Sequence, residues 1–244
     1  MSNNSLTVVS TFTKDLWEHY GNRSIPTWFR YFDPGIKFHF HTEFEPIIDR
    51  RITYFLDTKE KLDFLERNTR IGRQGTKIIH PVGRKWDTYC HKVYAQYESF
   101  KIADTRYLLF LDADVAALKS FDSNVAANML DNHFCGYIGR DTLLTETGFI
   151  LYDLSDPGAE NFFETFINLY NKDQLFELDS WCDCGAFDHV RLNSLLSFKN
   201  LSGKYSSFID PIAVGEIGEY FDHWISKKSK HTGFSKHRKF RGKL

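Results

Sequence analysis

Two acids separated by one small residue, Asp112-Ala-Asp114, close the apolar run Tyr107-Leu-Leu-Phe-Leu111. Like charges a few ångströms apart repel strongly where solvent is excluded, so the pair calls for a cation or a hydrogen-bond donor between its carboxylates. Hard oxygen ligands favour Mg²⁺ or Mn²⁺ over a thiophilic metal, and such ions keep positions open for phosphate oxygens. A solvated loop after a strand would carry the same residues without a function. The strand in front of them and the mid-chain location favour a site. A second grouping, Asp179-Ser-Trp181-Cys-Asp183, sets two acids about an indole. A sugar face stacks on such a ring while carboxylates take its hydroxyls, so the grouping suits a carbohydrate.

The elements that must position these residues read as an α/β order. Leu6–Phe12 is a β-branched, apolar run that opens the chain as a buried strand, and Ile36–His41 alternates as a second. Between them, Lys14–Phe32 spaces its aromatic residues as a helix, interrupted near Gly21 and Pro26. Lys59–Thr69 is a helix with Leu62 and Leu65 on its inner face, and Lys77–Ile79 is a short strand. Trp86–Ala103 is a helix with Val93, Tyr97 and Phe100 facing inward; Lys92 then lies beside the buried face, exposed. It leads directly into the strand Arg106–Leu111. Cys135–Ile138 and Gly148–Tyr152 read as strands, Glu160–Tyr170 and Phe187–Leu196 as helices. Strands alternating with helices predict a mostly parallel sheet flanked by helices, with ligands beyond the carboxyl ends of the strands. No repeat or low-complexity linker divides the 244 residues, so a single domain is expected.

Composition narrows the classes further. Four cysteines, with Cys182 and Cys184 along a strand or turn, match neither a secreted disulfide framework nor a paired zinc pattern, and read as packing residues in a reducing compartment. No secretory signal and no apolar stretch of membrane-spanning length is evident, so a soluble, cytoplasmic protein is expected. The last residues, about 224–244, form a basic tail with eight Lys or Arg and no acid, which leaves the part before it acidic.

With Val8-Val-Ser-Thr-Phe12 opening the chain and a Lys-bearing helix ahead of Asp112-Ala-Asp114, the sequence resembles the nucleotide-sugar glycosyltransferases of the GT-A fold. It is most similar to their small bacterial and phage members, which would live in a bacterial or host cytoplasm. The resemblance runs from Thr7 to about Lys230. It implies a single GT-A, Rossmann-like domain that binds a nucleoside-diphosphate sugar (UDP- or GDP-) with Mn²⁺ or Mg²⁺ and glycosylates a carbohydrate or another acceptor. It implies that Ser10, Thr11 and Phe12, with Tyr20 nearby, hold the nucleoside, although Phe12 could equally be core and Thr11 a helix cap. Lys92 would approach the diphosphate, Asp112 the ribose or the metal, and Asp114 would ligate the metal directly. The resemblance implies a histidine as third ligand, with two candidates: His223 in Tyr220-Phe-Asp-His223, which is preferred, and His231 in His231-Thr-Gly233; Lys227 and Lys228 would neutralise the leaving nucleotide. Asp183 is the first choice for catalytic base and Glu146, entering a strand with Gly148, the second; either could instead cap a helix or pair with an Arg.

Two other classes compete. A phosphatase of the haloacid dehalogenase type also carries Asp-x-Asp after a strand, but on its first strand and with Thr or Val where this chain has Ala116. A polyanion-binding protein could act through the basic tail; the acidic remainder lacks any nucleic-acid module, so no nucleic acid is expected as a partner.

Overall fold

The computed structural model describes residues 5–70, 86–208 and 210–224. Strand β1 (Leu6–Thr11) is followed by a short helix α1 (Lys14–Leu16), a π-turn (Trp17–Gly21) and helix α2 (Asn22–Tyr31). Strands β2 (Lys37–His41) and β3 (Ile52–Phe55) come next, then helices α3 (Lys59–Asn68) and α4 (Trp86–Ile102). Strand β4 (Tyr107–Leu111) leads through Asp112-Ala-Asp114 into β5 (Val115–Ala117), helix α5 (Ser123–Leu130), and strands β6 (Cys135–Ile138) and β7 (Glu146–Asp153). Helices α6 (Ala159–Asn171) and α7 (Asp183–Leu192), strand β8 (Phe198–Asn200), a helical turn α8 (Ile217–Tyr220) and strand β9 (Phe221–His223) complete the described chain.

Seven strands form one sheet in the order β3-β2-β1-β4-β7-β6-β8. Every neighbouring pair is parallel except the two that involve β7, which runs against β4 and β6. The expected class, a mostly parallel sheet flanked by helices, is therefore the observed one. Both faces are covered, which is why β4 reads as a continuous apolar run. Leu109 and Leu111 turn toward Trp28 and Ile25 of α2, whereas Leu108 and Phe110 turn toward Val93 of α4 and the Phe162 and Phe163 rings of α6. Because β2 lies on one side of β1 and β4 on the other, the chain order switches at β1, and a crevice opens beyond the carboxyl ends of β1, β2 and β4.

Several sequence expectations are corrected. The helix over 59–68 buries Lys61, Phe64 and Asn68, while Leu62 is 49% exposed: three-residue spacing fits two faces of so short a helix, and Phe64 has the ring that fills the space. Pro26 sits inside α2 without ending it; the interruption is the π-turn before it, where any Cβ on Gly21 would come within 2.9 Å of the Trp17 ring. Cys182 and Cys184 lie at the start of α7 rather than on a strand, and that helix begins at Asp183 and ends at Leu192, earlier than the 187–196 expected. The strand expected at 77–79 lies outside the described residues.

His39 and His41 on β2 are both buried. Burial, with the nearby Lys37 charge, lowers His39 to about 4, and burial, with His39 itself, lowers His41 to about 3. An unfolded histidine titrates near pH 6.5, so below that pH the unfolded chain binds protons that the folded one refuses. Stability from these two groups is thus full above about pH 6.5 and is lost as the pH falls toward 4. On the order of 1–2 kcal/mol per histidine should disappear between pH 7 and pH 5. Urea unfolding at the two pH values measures it, and a His39→Asn, His41→Gln double variant should show a clearly smaller difference; an equal difference would assign the pH dependence to other groups.

Candidate functional site

The Asp112-Ala-Asp114 segment is held by hydrogen bonds to β7, β1, α2 and the residue that follows β9. Asp112 N–H donates to the Gly148 carbonyl on β7 (3.0 Å), and Ser10 on β1 donates its hydroxyl to the Leu111 carbonyl (2.7 Å). Helix α2 clamps the next residues: the Ser24 hydroxyl donates to the Ala113 carbonyl, Trp28 Nε1 to the Val115 carbonyl (2.7 Å), and Ala117 N–H to the Thr27 hydroxyl (2.8 Å). Strand β5 then pairs antiparallel with β9, setting Val115 opposite His223, and Trp224 N–H donates to the Asp114 carbonyl (3.0 Å). A two-stranded ribbon is what carries His223 to the acids.

Asp112, Asp114 and His223 each offer a ligand atom within 4.8 Å of the others. His223 Nε2 is 3.3 Å from Asp114 Oδ1, and its Nδ1 is 3.1 Å from Asp210 Oδ1. Lys92 Nζ is 2.6 Å from Asp112 Oδ2 and 3.4 Å from Asp183 Oδ2. Lys92 was expected at the surface; it is instead largely enclosed, because α4 packs against the sheet close enough for the ammonium to reach the acids. Burial drives the Asp112 carboxyl up, Lys92 pulls it down and Asp114 raises it again, leaving it at about 6. Burial also opposes ionisation of Asp114, but the His223 imidazole outweighs it and holds that carboxyl below its ordinary value. Burial disfavours a charged His223, yet Asp114 and Asp210 together raise it well above the usual imidazole value. Lys92 is raised likewise, against its burial, by Asp112 and Asp183.

A cleft of about 570 Å³ opens on these acids. Its walls include Thr11, Phe12, Tyr20, Tyr89, Lys92, Asp112 and Asp114, together with Glu43, Asp57 and Asp87. Phe12 is a core residue, 2% exposed and packed on Phe40 and Trp17, and it also lines the cleft. Thr11 donates its hydroxyl to the His41 carbonyl (2.9 Å) and caps no helix; Thr13 caps α1.

The other candidates divide. Asp183, 1% exposed at the start of α7, accepts a hydrogen bond from the Thr147 hydroxyl and faces Lys92. Glu146 at the start of β7 pairs with Arg140 (3.0 Å) and accepts the Gly148 N–H (3.1 Å). A Cβ on Gly148 would lie 3.3 Å from both an Asp112 and a Glu146 carboxylate oxygen, so glycine is what lets these two acids approach. Trp181, expected to stack on a sugar, is 4% exposed and packed edge-on against Phe176 in the core. Its indole N–H donates to the Leu178 carbonyl (3.1 Å), so the ring serves α7 packing. Lys227, Lys228 and His231 lie outside the described residues. Sequence reasoning missed Asp210, Thr147 and Tyr89. Asp210-Pro211 marks a turn, but nothing in its spacing connects it with a histidine thirteen positions on.

The donor set fits a hard divalent cation with borderline character: two carboxylates, one imidazole, and no thiolate among the three. A second grouping, Cys182, Asp183 and Cys184, joins three near-adjacent residues and turns its carboxylate toward Lys92.

No protein-family profile matches the sequence. Among curated proteins no sequence is similar enough to register. Solved structures share part of the chain path. Mouse xyloside xylosyltransferase 1 in its apo form matches with a TM-score of 0.49 and 11% identity over 81% of this chain and 84% of the other. The glycosyltransferase GlyE of Streptococcus pneumoniae matches with a TM-score of 0.47 and 10% identity, covering 83% of this chain and 46% of that one. The apo bifunctional glycosyltransferase WbbM gives a TM-score of 0.46 and 10% identity over 82% of this chain and 39% of its own. The chain thus spans less than half the length of the latter two. No helix among the described residues is long and apolar enough to cross a membrane.

Replacing Lys92 by Met leaves Asp112 and Asp183 enclosed without their shared cation. Removing one partner of a buried ion pair costs about 3–5 kcal/mol. In urea unfolding with EDTA present, Lys92→Met should lose about 3 kcal/mol relative to the parent chain; an unchanged midpoint would mean that solvent screens these acids.

Proposed function

We propose that the chain is a metal-dependent glycosyltransferase that moves a sugar from a nucleoside-diphosphate sugar, UDP- or GDP-linked, to a carbohydrate or other acceptor. We read residues 1–244 as one transferase domain with a basic tail from about 224. The observation that carries the reading is the convergence of Asp112, Asp114 and His223, joined by Lys92, on a cleft at the carboxyl ends of parallel strands. Such a cleft suits an elongated ligand with an aromatic end, hydroxyls and an anionic middle. Phe12 and Tyr20 offer ring edges and faces for a base, Thr11 and the carboxylates of Glu43 and Asp57 accept or exchange hydrogen bonds with ribose, and the acids hold the diphosphate through a cation.

Asp112, Asp114 and His223 would hold Mn²⁺ or Mg²⁺, which supplies positive charge to the departing diphosphate. Lys92 keeps Asp112 oriented toward the cleft and adds a second positive charge close to the same oxygens. Glu146 stands beside Asp112 across Gly148, paired with Arg140 and accepting the Gly148 N–H, and its side chain remains partly open. It is the better candidate for removing the acceptor proton or facing the developing positive charge on the sugar. Asp183, the other candidate base, is enclosed and engaged by Thr147 and Lys92, and its role here is to steady Lys92. Lys227 and Lys228 in the tail would neutralise the leaving nucleotide.

The phosphatase alternative finds no comparable support: the acid pair follows β4 in the middle of the sheet, not the first strand. A thermal-shift screen of UDP-, GDP-, CDP- and dTDP-sugars with and without Mn²⁺ tests the reading. One nucleotide class should raise the unfolding midpoint only when Mn²⁺ is present, by an amount equivalent to about 2.7 kcal/mol at a hundredfold excess over Kd. Asp114→Asn should lose both that response and sugar turnover; a full response in this variant, or none from any nucleotide with the parent chain, rejects the proposal.

A further inference from the structure

We infer that Asp210 is a positioning residue for the cation site: it fixes the ring and the tautomer of His223 so that Nε2 faces the acids. The inference rests on the metal-dependent reading above and adds a residue outside the ligand set. Asp210 is 1% exposed, and Oδ1 meets His223 Nδ1 at 3.1 Å. Oδ1 accepts the Nδ1 hydrogen, which leaves Nε2, on the side where Asp114 Oδ1 lies 3.3 Å away, as the nitrogen that would give up its proton and face a ligand. A carboxylate behind a ligating imidazole raises its basicity as well as orienting it.

The turn that carries this carboxylate is anchored on β7 and α8 as well as on β9. Asp210 opens the turn Pro211–Ala213, whose Ile212 packs on Gly148, the residue that also adjoins Asp112. Ala213 lies so close to Gly218 that a Cβ there would come within 2.6 Å of its carbonyl carbon. By contrast, β9 is only three residues long, and its pairing with β5 fixes the His223 backbone but leaves the ring free to turn about its side-chain bonds. Asp210 supplies the missing restraint. Its Oδ2 is buried with no hydrogen-bond partner among the described residues, an arrangement that stability alone does not explain, since burying a carboxylate with a single partner is costly.

Titrating the full chain with Mn²⁺ alone, followed by the electron paramagnetic resonance of the free ion, tests this. Asp210→Asn keeps the size and one acceptor oxygen but loses the charge; Asp210→Ala loses both. Mn²⁺ affinity should fall about 10-fold in the first and up to about 100-fold in the second. The thermal midpoint of Asp210→Asn in EDTA should stay close to that of the parent, which separates positioning from loss of fold. Parent-like Mn²⁺ affinity in both variants would overturn the role of Asp210 and leave the metal reading intact. A parent chain that takes up no Mn²⁺ would overturn the metal reading itself and the inference with it.

Discussion

Excess negative charge in a nearly closed space is the constraint around which the rest of the molecule is arranged. Asp112, Asp114, Asp183 and Asp210 converge from three parts of the chain, and the cationic side chains in contact with them among the described residues are Lys92 and His223. Each cation is shared between two acids, which keeps both protonated, while burial lifts the Asp112 carboxyl to about 6. A divalent ion among Asp112, Asp114 and His223 would balance what these two residues cannot, and would draw a diphosphate into the same cleft.

The surrounding architecture serves to hold that charge still. Parallel strands end together at the crevice, the hydroxyls of Ser10, Ser24 and Thr27 and the indole of Trp28 fasten the segment that bears the acids, and β5 with β9 returns the end of the described chain to it. The aromatic abundance is mostly interior: rings such as Phe162, Phe163 and Phe134 fill the far face of the sheet. Among the described residues, Phe12, Tyr20 and Tyr89 are the Phe, Tyr or Trp side chains that line the cleft.

The central part of this was legible in the sequence because it is local. An apolar strand buried on both sides leaves a continuous hydrophobic run, and acids that end it stand out; the helix bearing Lys92 announces its inner face through Val93. What was not legible depends on contacts between distant residues. Three-residue strands such as β5 and β9 have too few positions for a period, so the ribbon that brings His223 to Asp114 had no signature, and His223 was reached through resemblance instead. Trp181 has the composition of a sugar platform, yet a core space beside Phe176 claimed it. Asp210 carries no site signal in the sequence, and only the fold pairs it with an imidazole.

The most direct test of the cation claim is anomalous diffraction at the manganese edge from crystals grown with Mn²⁺ and a nucleoside diphosphate. The account requires a peak bonded to carboxylate oxygens of Asp112 or Asp114 and to His223 Nε2, with the diphosphate oxygens on its open side. Ordered nucleotide in the cleft with no manganese between it and these acids, or manganese bound only beside Cys182 and Cys184, would contradict it.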